Sequence, residues 1–304
     1  MAGKKLRSIR EYLFRNGRYL DIARWNYHFE NGSESEVLKA LTVYQNLDGG
    51  FGHGLEPDLQ NPNSNPIATW YAIQILRELN FPKLGSMIVE KIIDYLESSI
   101  NIETKKWDAV IPSNNEYPHA PWWHYSEELD QSWYNPTAEF LGFIIRFADE
   151  NSKIYGLALE SLNQMLGVIM EENYEIEPHE LVNVLNLYRD LIASKKIELV
   201  PGDFEKFIKE KVNLAIDRDE SAYVEENYYT PPSSYINSKD DFTYAGNEEI
   251  SRFYTEYIED HVTEFGFWEI NWDWNEDEMP ENVIRDWTGI ITVNNMLFIE
   301  LIVK

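Results

Sequence analysis

The stretch Val43-Tyr44-Gln45-Asn46-Leu47-Asp48-Gly49-Gly50-Phe51-Gly52-His53-Gly54-Leu55-Glu56-Pro57-Asp58 decides how this chain is read. Helical periodicity lies on both sides of it. Between the helices, glycines at 49, 50, 52 and 54 stand among carboxylates, a histidine and a phenylalanine. Glycine reaches backbone angles that other residues adopt only at a cost, so such a loop folds tightly over a cavity. The stretch predicts helices with a polar, aromatic mouth.

Working outward, residues 4–31 read as helix, with Asn16-Gly17 breaking it in two. Ser33 with Glu36 has capping-box spacing and opens the helix that leads into the loop. Pro66 sits where a first helical turn tolerates proline, and Ile67 to Leu79 follow as an apolar helix. Residues 83–99 form its partner. A long irregular stretch, 101–134, holds Trp107, His119, Trp122, Trp123, His124 and Trp133. Loops of that length are usually functional, and tryptophans at this density argue for order. Helices are expected again at 136–149, 152–172, 178–195, 202–217, about 246–264 and about 284–303. No convincing strand pattern is found.

Asn65-Pro66-Ile67-Ala68-Thr69-Trp70-Tyr71-Ala72-Ile73 matches Asn135-Pro136-Thr137-Ala138-Glu139-Phe140-Leu141-Gly142-Phe143, and Asp286-Trp287-Thr288-Gly289-Ile290 is a looser third copy. Repeated helix pairs that cannot bury their faces alone imply an array or a closed ring. The expectation is an all-α chain with ten or eleven helices, built as an α/α toroid of inner and outer helices, with long aromatic loops at the cavity mouth. Residues 1–304 are read as one domain.

Composition narrows the function. The chain has 304 residues, with 10 Trp and 19 Tyr, so it can bury a large core. Its net charge of −27 repels nucleic acid and anionic membranes, whose binding rests on Lys and Arg. With no cysteine, disulfides, thiolate nucleophiles and Cys-ligated zinc are excluded. The basic N-terminus is not followed by an apolar run, and no stretch approaches the ~20 apolar residues of a membrane span. The expectation is a soluble cytoplasmic protein with no transmembrane segment and no nucleic-acid partner.

Gln45-Asn46-Leu47-Asp48-Gly49-Gly50-Phe51-Gly52, followed by Thr69-Trp70-Tyr71-Ala72 and an apolar helix, resembles the repeat of the terpenoid cyclase and protein prenyltransferase superfamily. That repeat reads roughly Gln-x-x-Asp-Gly-Gly-Phe-Gly, a variable loop, then Thr-Tyr-x-Ala. The resemblance implies a toroid and a hydrophobic, isoprenoid-like ligand in a central cavity. This chain departs from the family in two ways. Without cysteine it lacks the prenyltransferase zinc site. The class II cyclase motif Asp-x-Asp-Asp-Thr-Ala, laid on Trp133-Tyr134-Asn135-Pro136-Thr137-Ala138, keeps only Thr137 and Ala138. The general-acid position becomes Asn135, an amide that cannot donate a proton as an acid.

Three clusters carry candidate chemistry. His53, Glu56 and Asp58 suit an acid/base pair or a metal, against the alternative of turn and cap chemistry in a loop. Asp48 reads as a turn residue. Trp122-Trp123-His124-Tyr125 offers aromatic faces beside a histidine, against the alternative of a packed lid. Trp268-Glu269-Ile270-Asn271-Trp272-Asp273-Trp274-Asn275-Glu276-Asp277 sets tryptophans among acids, as in glycan-cleaving sites, against the alternative of a packed loop with solvated acids. The candidate catalytic residues are His53, Glu56, Asp58, His124, Asp273 and Glu276. The candidate substrate-binding residues are Trp122, Trp123, Trp133, Trp272, Trp274 and Trp287. No cofactor and no metal is assigned, with a divalent metal left open.

The leading expectation is a terpenoid cyclase- or prenyltransferase-like protein that acts on or binds a hydrophobic small molecule. The alternatives are a carbohydrate-active hydrolase or lyase with an oligosaccharide ligand, or a non-catalytic ligand-binding toroid. Oligomeric state is left open.

Overall fold

The computed structural model describes residues 3–223, 229–274 and 278–304. Among them are eleven α-helices and no strand, only isolated β-bridges such as Gln45 with Phe51 and Leu59 with His119. The protein is all-α. The helices are α1 (Gly3–Asn16), α2 (Tyr19–Phe29), α3 (Glu34–Leu41), α4 (Pro66–Glu78), α5 (Ser86–Ser99), α6 (Thr137–Phe147), α7 (Lys153–Ile169), α8 (Pro178–Ser194), α9 (Phe204–Ala215), α10 (Glu248–Asp260) and α11 (Glu281–Val303). Two compact units divide the chain, Met1–Ala40 with Val212–Lys304, and Leu41–Lys211.

Local sequence explains most helix boundaries. The Ser33 hydroxyl accepts the Glu36 amide at 3.3 Å. The Asn65 side chain caps α4 by accepting the Ala68 amide at 2.8 Å, and Pro66 follows at the first helical position. Asn80, at the end of α4, takes a left-handed conformation that asparagine tolerates. Ser152 and Glu177 cap α7 and α8 through their side-chain oxygens.

In the Leu41–Lys211 unit, α6 is the central helix and packs against α5, α7 and α8. Every residue from Thr137 to Ile145 is buried. A Cβ on Gly142 would lie 2.7 Å from the Leu187 Cα, so glycine allows the backbones of α6 and α8 to cross closely. In the other unit, α11 packs against α1, α2 and α10. By length and composition alone, α11 is apolar enough to cross a membrane. Val283, Ile290, Val293, Met296 and Phe298 on it are buried within the unit, as in a core helix.

Candidate functional site

The Gly-rich loop is a set of closed turns. Oδ1 of Asp48 accepts the Gly50 amide at 3.1 Å and the Ser64 hydroxyl at 2.6 Å, so Asp48 holds the turn, as its position suggests. Gly49 has φ +94°, and a Cβ there would overlap the Lys91 carbonyl oxygen. The Phe51 amide donates to the Thr69 hydroxyl at 3.0 Å, and that hydroxyl donates to the Asn65 carbonyl at 2.9 Å. One threonine thereby latches the loop onto the first turn of α4. The same latch recurs at the start of α6: the Trp107 amide donates to the Thr137 hydroxyl at 3.0 Å, and Thr137 donates back to the Trp107 carbonyl at 3.2 Å. The sequence repeat aligns Thr69 with Glu139. The structure gives its role to Thr137, two residues earlier.

Beyond the turns, the loop pairs with residues 112–125. The Ala120 amide donates to the Asp58 carbonyl at 2.8 Å, and the Gln60 amide to the Pro118 carbonyl at 3.0 Å. Buried Asn61 donates to Ser113 and to Asn114, and Asn114 donates to the Trp123 carbonyl at 3.1 Å. These bonds set Trp123 against an apolar floor of Leu59, Ile67, Ala109 and Val110. From there its indole Nε1 donates to Oε1 of Glu56 at 3.4 Å. Glu56 is 6% exposed, and its Oε2 is buried with no hydrogen-bond partner among the described residues. Burial, and then the charge of Asp58, push its pKa well above the usual carboxylate range. The Trp123 indole and the amides of Asp58 and Leu59 offset this only in part. The arrangement favours a neutral, proton-bearing carboxyl, as a general acid requires.

The other predicted residues of this unit are placed as follows. Asp58 is buried. His53 is exposed in a left-handed conformation, with Nε2 2.9 Å from Oδ1 of Asn46, which ties its ring to the Gly-rich turn. His124 is exposed and meets His119, with Nε2 of His119 3.1 Å from Nδ1 of His124. Trp122 is 42% exposed. Trp133 is half-buried, and its Nε1 is buried with no partner among the described residues. The structure thus joins Glu56 with Trp123, and His124 with His119.

A second polar centre joins residues that lie far apart in the sequence. Glu139 on α6 and Asp190 on α8 are fully buried. Arg77 on α4 donates to Oε1 of Glu139 at 2.7 Å and to both oxygens of Asp190 at 2.8 and 2.9 Å. Arg146 adds a 2.9 Å bond to Asp190. The other oxygen of Glu139 accepts from Trp70 at 2.8 Å, Gln74 at 2.7 Å and Asn186 at 3.1 Å. Two cations meet two anions, so the cluster is balanced and holds no surplus positive charge for a diphosphate. Glu139 is the one acid in the mostly apolar helix TAEFLGFIIRF, and it lies in the run from Thr137 to Ile145 that is buried throughout. A lone acid inside such a helix needs a partner, and that is the sequence signal that marks it.

In the Met1–Ala40/Val212–Lys304 unit, Trp272 meets Trp287 edge to face at 5.1 Å. Trp274 is buried and Asp273 is exposed. Glu276 lies outside the described residues. The Trp287 Nε1 is buried with no partner among the described residues. Beside Trp287 in the chain, Asp286 has a pKa raised by burial and held back by Arg18 and Arg285. Asp21 is fully buried and takes two bonds from Arg18, at 2.8 and 3.2 Å.

No group of three or more His, Cys, Asp or Glu side chains suited to a metal ion occurs among the described residues. Fold and site together define an all-α protein whose most distinctive polar feature is a buried carboxyl held by an indole from a distant loop. No protein-family model, curated protein or solved structure matches the chain.

Proposed function

We propose that this is a terpenoid cyclase-like helical-repeat protein, with an α/α toroid arrangement, that takes an uncharged, hydrophobic, isoprenoid-like small molecule. Glu56 is its acid and Trp123 its aromatic wall. The observation that carries this reading is Glu56 itself: a buried carboxyl with one oxygen held by Trp123, whose ring packs on an apolar floor, and the other without a hydrogen-bond partner among the described residues. Asn135 cannot serve as an acid, and its Oδ1 accepts from Asn183 at 3.1 Å. Glu56 supplies from another loop the acid that the family-like motif lacks. A neutral ligand suits the site better than a diphosphate, because Arg77 and Arg146 are already matched by Glu139 and Asp190.

Tryptophan fluorescence titration with farnesol, farnesyl diphosphate and a neutral oligosaccharide tests the reading. Farnesol is expected to bind, more tightly than its diphosphate, and Glu56→Ala is expected to weaken it. Oligosaccharide binding without farnesol binding overturns the proposal. Product analysis on the same samples separates an enzyme from a non-catalytic binder.

A carbohydrate-active reading is favoured by one observation, the Trp272–Trp287 pair next to Asp286, whose pKa is raised by burial. In that case the oligosaccharide binds and Trp287→Ala abolishes its binding, while Glu56→Ala leaves it unchanged.

A further inference from the structure

His119 and His124 are joined in a fixed proton order. Nδ1 of His119 lies 2.6 Å from the Tyr117 carbonyl oxygen. A carbonyl oxygen only accepts, so this nitrogen carries the hydrogen. In a neutral ring the other nitrogen, Nε2, is then an acceptor, and it faces Nδ1 of His124 at 3.1 Å. The ring planes are within 19° of parallel, with centroids 5.3 Å apart. With the short N···N contact, this sets the rings edge to edge, as an in-plane hydrogen bond requires. The contact holds a single hydrogen, because two would set N–H against N–H. With both rings neutral, that hydrogen belongs to Nδ1 of His124. The remaining nitrogen, Nε2 of His124, is left as an unprotonated base on an exposed side chain, two residues from exposed Trp122.

We propose that His119 and His124 form a two-ring relay whose outer nitrogen, Nε2 of His124, is a proton-accepting site for a hydroxyl group or water. The O–H proton passes to Nε2, and the electron pair stays on the oxygen. The imidazolium so formed keeps its Nδ1–H bond to His119, which is anchored in turn by the Tyr117 carbonyl. This is the base-plus-orienter logic of hydrolytic triads, with a second imidazole in the orienting place. The inference is independent of Glu56 and of the isoprenoid reading. His261 is an internal reference: its Nδ1 lies 2.7 Å from the Tyr257 carbonyl, which fixes the same tautomer through a carbonyl rather than a second imidazole.

The test uses the full chain. Long-range 1H–15N spectra at pH 8 assign the tautomer of each histidine, and diethyl pyrocarbonate probes nucleophilicity at the unprotonated nitrogen. The reagent acylates that nitrogen and releases carbon dioxide and ethanol. The wild type is expected to show His124 as the Nδ1–H tautomer and to label it at Nε2. In His119→Phe, His124 is expected to shift toward the Nε2–H tautomer and to label several-fold more slowly, while His261 keeps its tautomer and its rate. A wild-type His124 in the Nε2–H form overturns the proposal, as does an unchanged labelling rate in the folded variant. Where His119→Phe does not fold, the wild-type tautomer alone decides.

Discussion

The indole of Trp123 donates to the carboxyl group of Glu56 across 67 residues of chain, the side-chain bond that joins the two candidate site residues among the several bonds between the Gly-rich and tryptophan-rich loops. It is long at 3.4 Å, so it cannot by itself stabilise a charged Glu56 against burial. The neutral form of the carboxyl therefore governs how this region responds to pH.

Stability should fall as pH rises because of Glu56. Its folded pKa is raised, while the unfolded value is about 4.3. Between those values the folded state binds more protons than the unfolded state, so unfolding free energy decreases with pH. Glu56→Gln keeps the shape and removes the titration. Urea unfolding should show the variant more stable than wild type at pH 8, by on the order of 1–3 kcal/mol. The difference should vanish near pH 4. Equal stabilities at pH 8 would mean that Glu56 is solvated in solution.

Arg77→Met should be among the most damaging single substitutions. It removes the ion pair that Arg77 makes with buried Glu139 and its two bonds to buried Asp190, which also pairs with Arg146. Removing one partner from a buried charge cluster costs about 3–5 kcal/mol. Arg77→Lys should recover only part of this loss, because one ammonium cannot reproduce the bonds of a guanidinium to two carboxylates. Thermal melts of the two variants beside wild type give the ranking.

The two threonine latches should cost alike. Thr69→Val and Thr137→Val each keep the shape and strand a backbone amide, that of Phe51 or of Trp107, for a loss of about 1–3 kcal/mol. Chemical denaturation should place both in that range. A silent Thr137→Val would remove the structural equivalence of the two helix starts.

Gly49→Ala should destabilise the loop, since alanine combines a disfavoured φ of +94° with overlap on the Lys91 carbonyl. The expected loss is on the order of 1–3 kcal/mol from the backbone conformation alone. Gly156→Ala, on the open face of α7, meets nothing within 4 Å and is the control, expected to be neutral or slightly stabilising. Differential scanning calorimetry of both variants measures the contrast.

The helices are local in origin. Two of their starts are written in Ser33 and Pro66, one stop in Asn16-Gly17, and their buried faces in the helical period. These signals act within a few residues, so they can be read without the fold. The sequence also marked the loops that matter: Asp48 as a turn residue, Glu56 as a candidate acid, Trp123 and His124 as neighbours of the mouth. What these residues meet depends on the packing of distant segments. Trp123 reaches Glu56, His124 reaches His119 rather than a carboxylate, and Arg77 reaches Glu139 and Asp190 across 62 and 113 residues. The role of Thr69 passes to Thr137 rather than to its aligned position. The pKa of Glu56 and the unprotonated nitrogen of His124 follow from burial and from hydrogen bonds between separate loops. Those depend on how distant segments pack, and no local pattern encodes them.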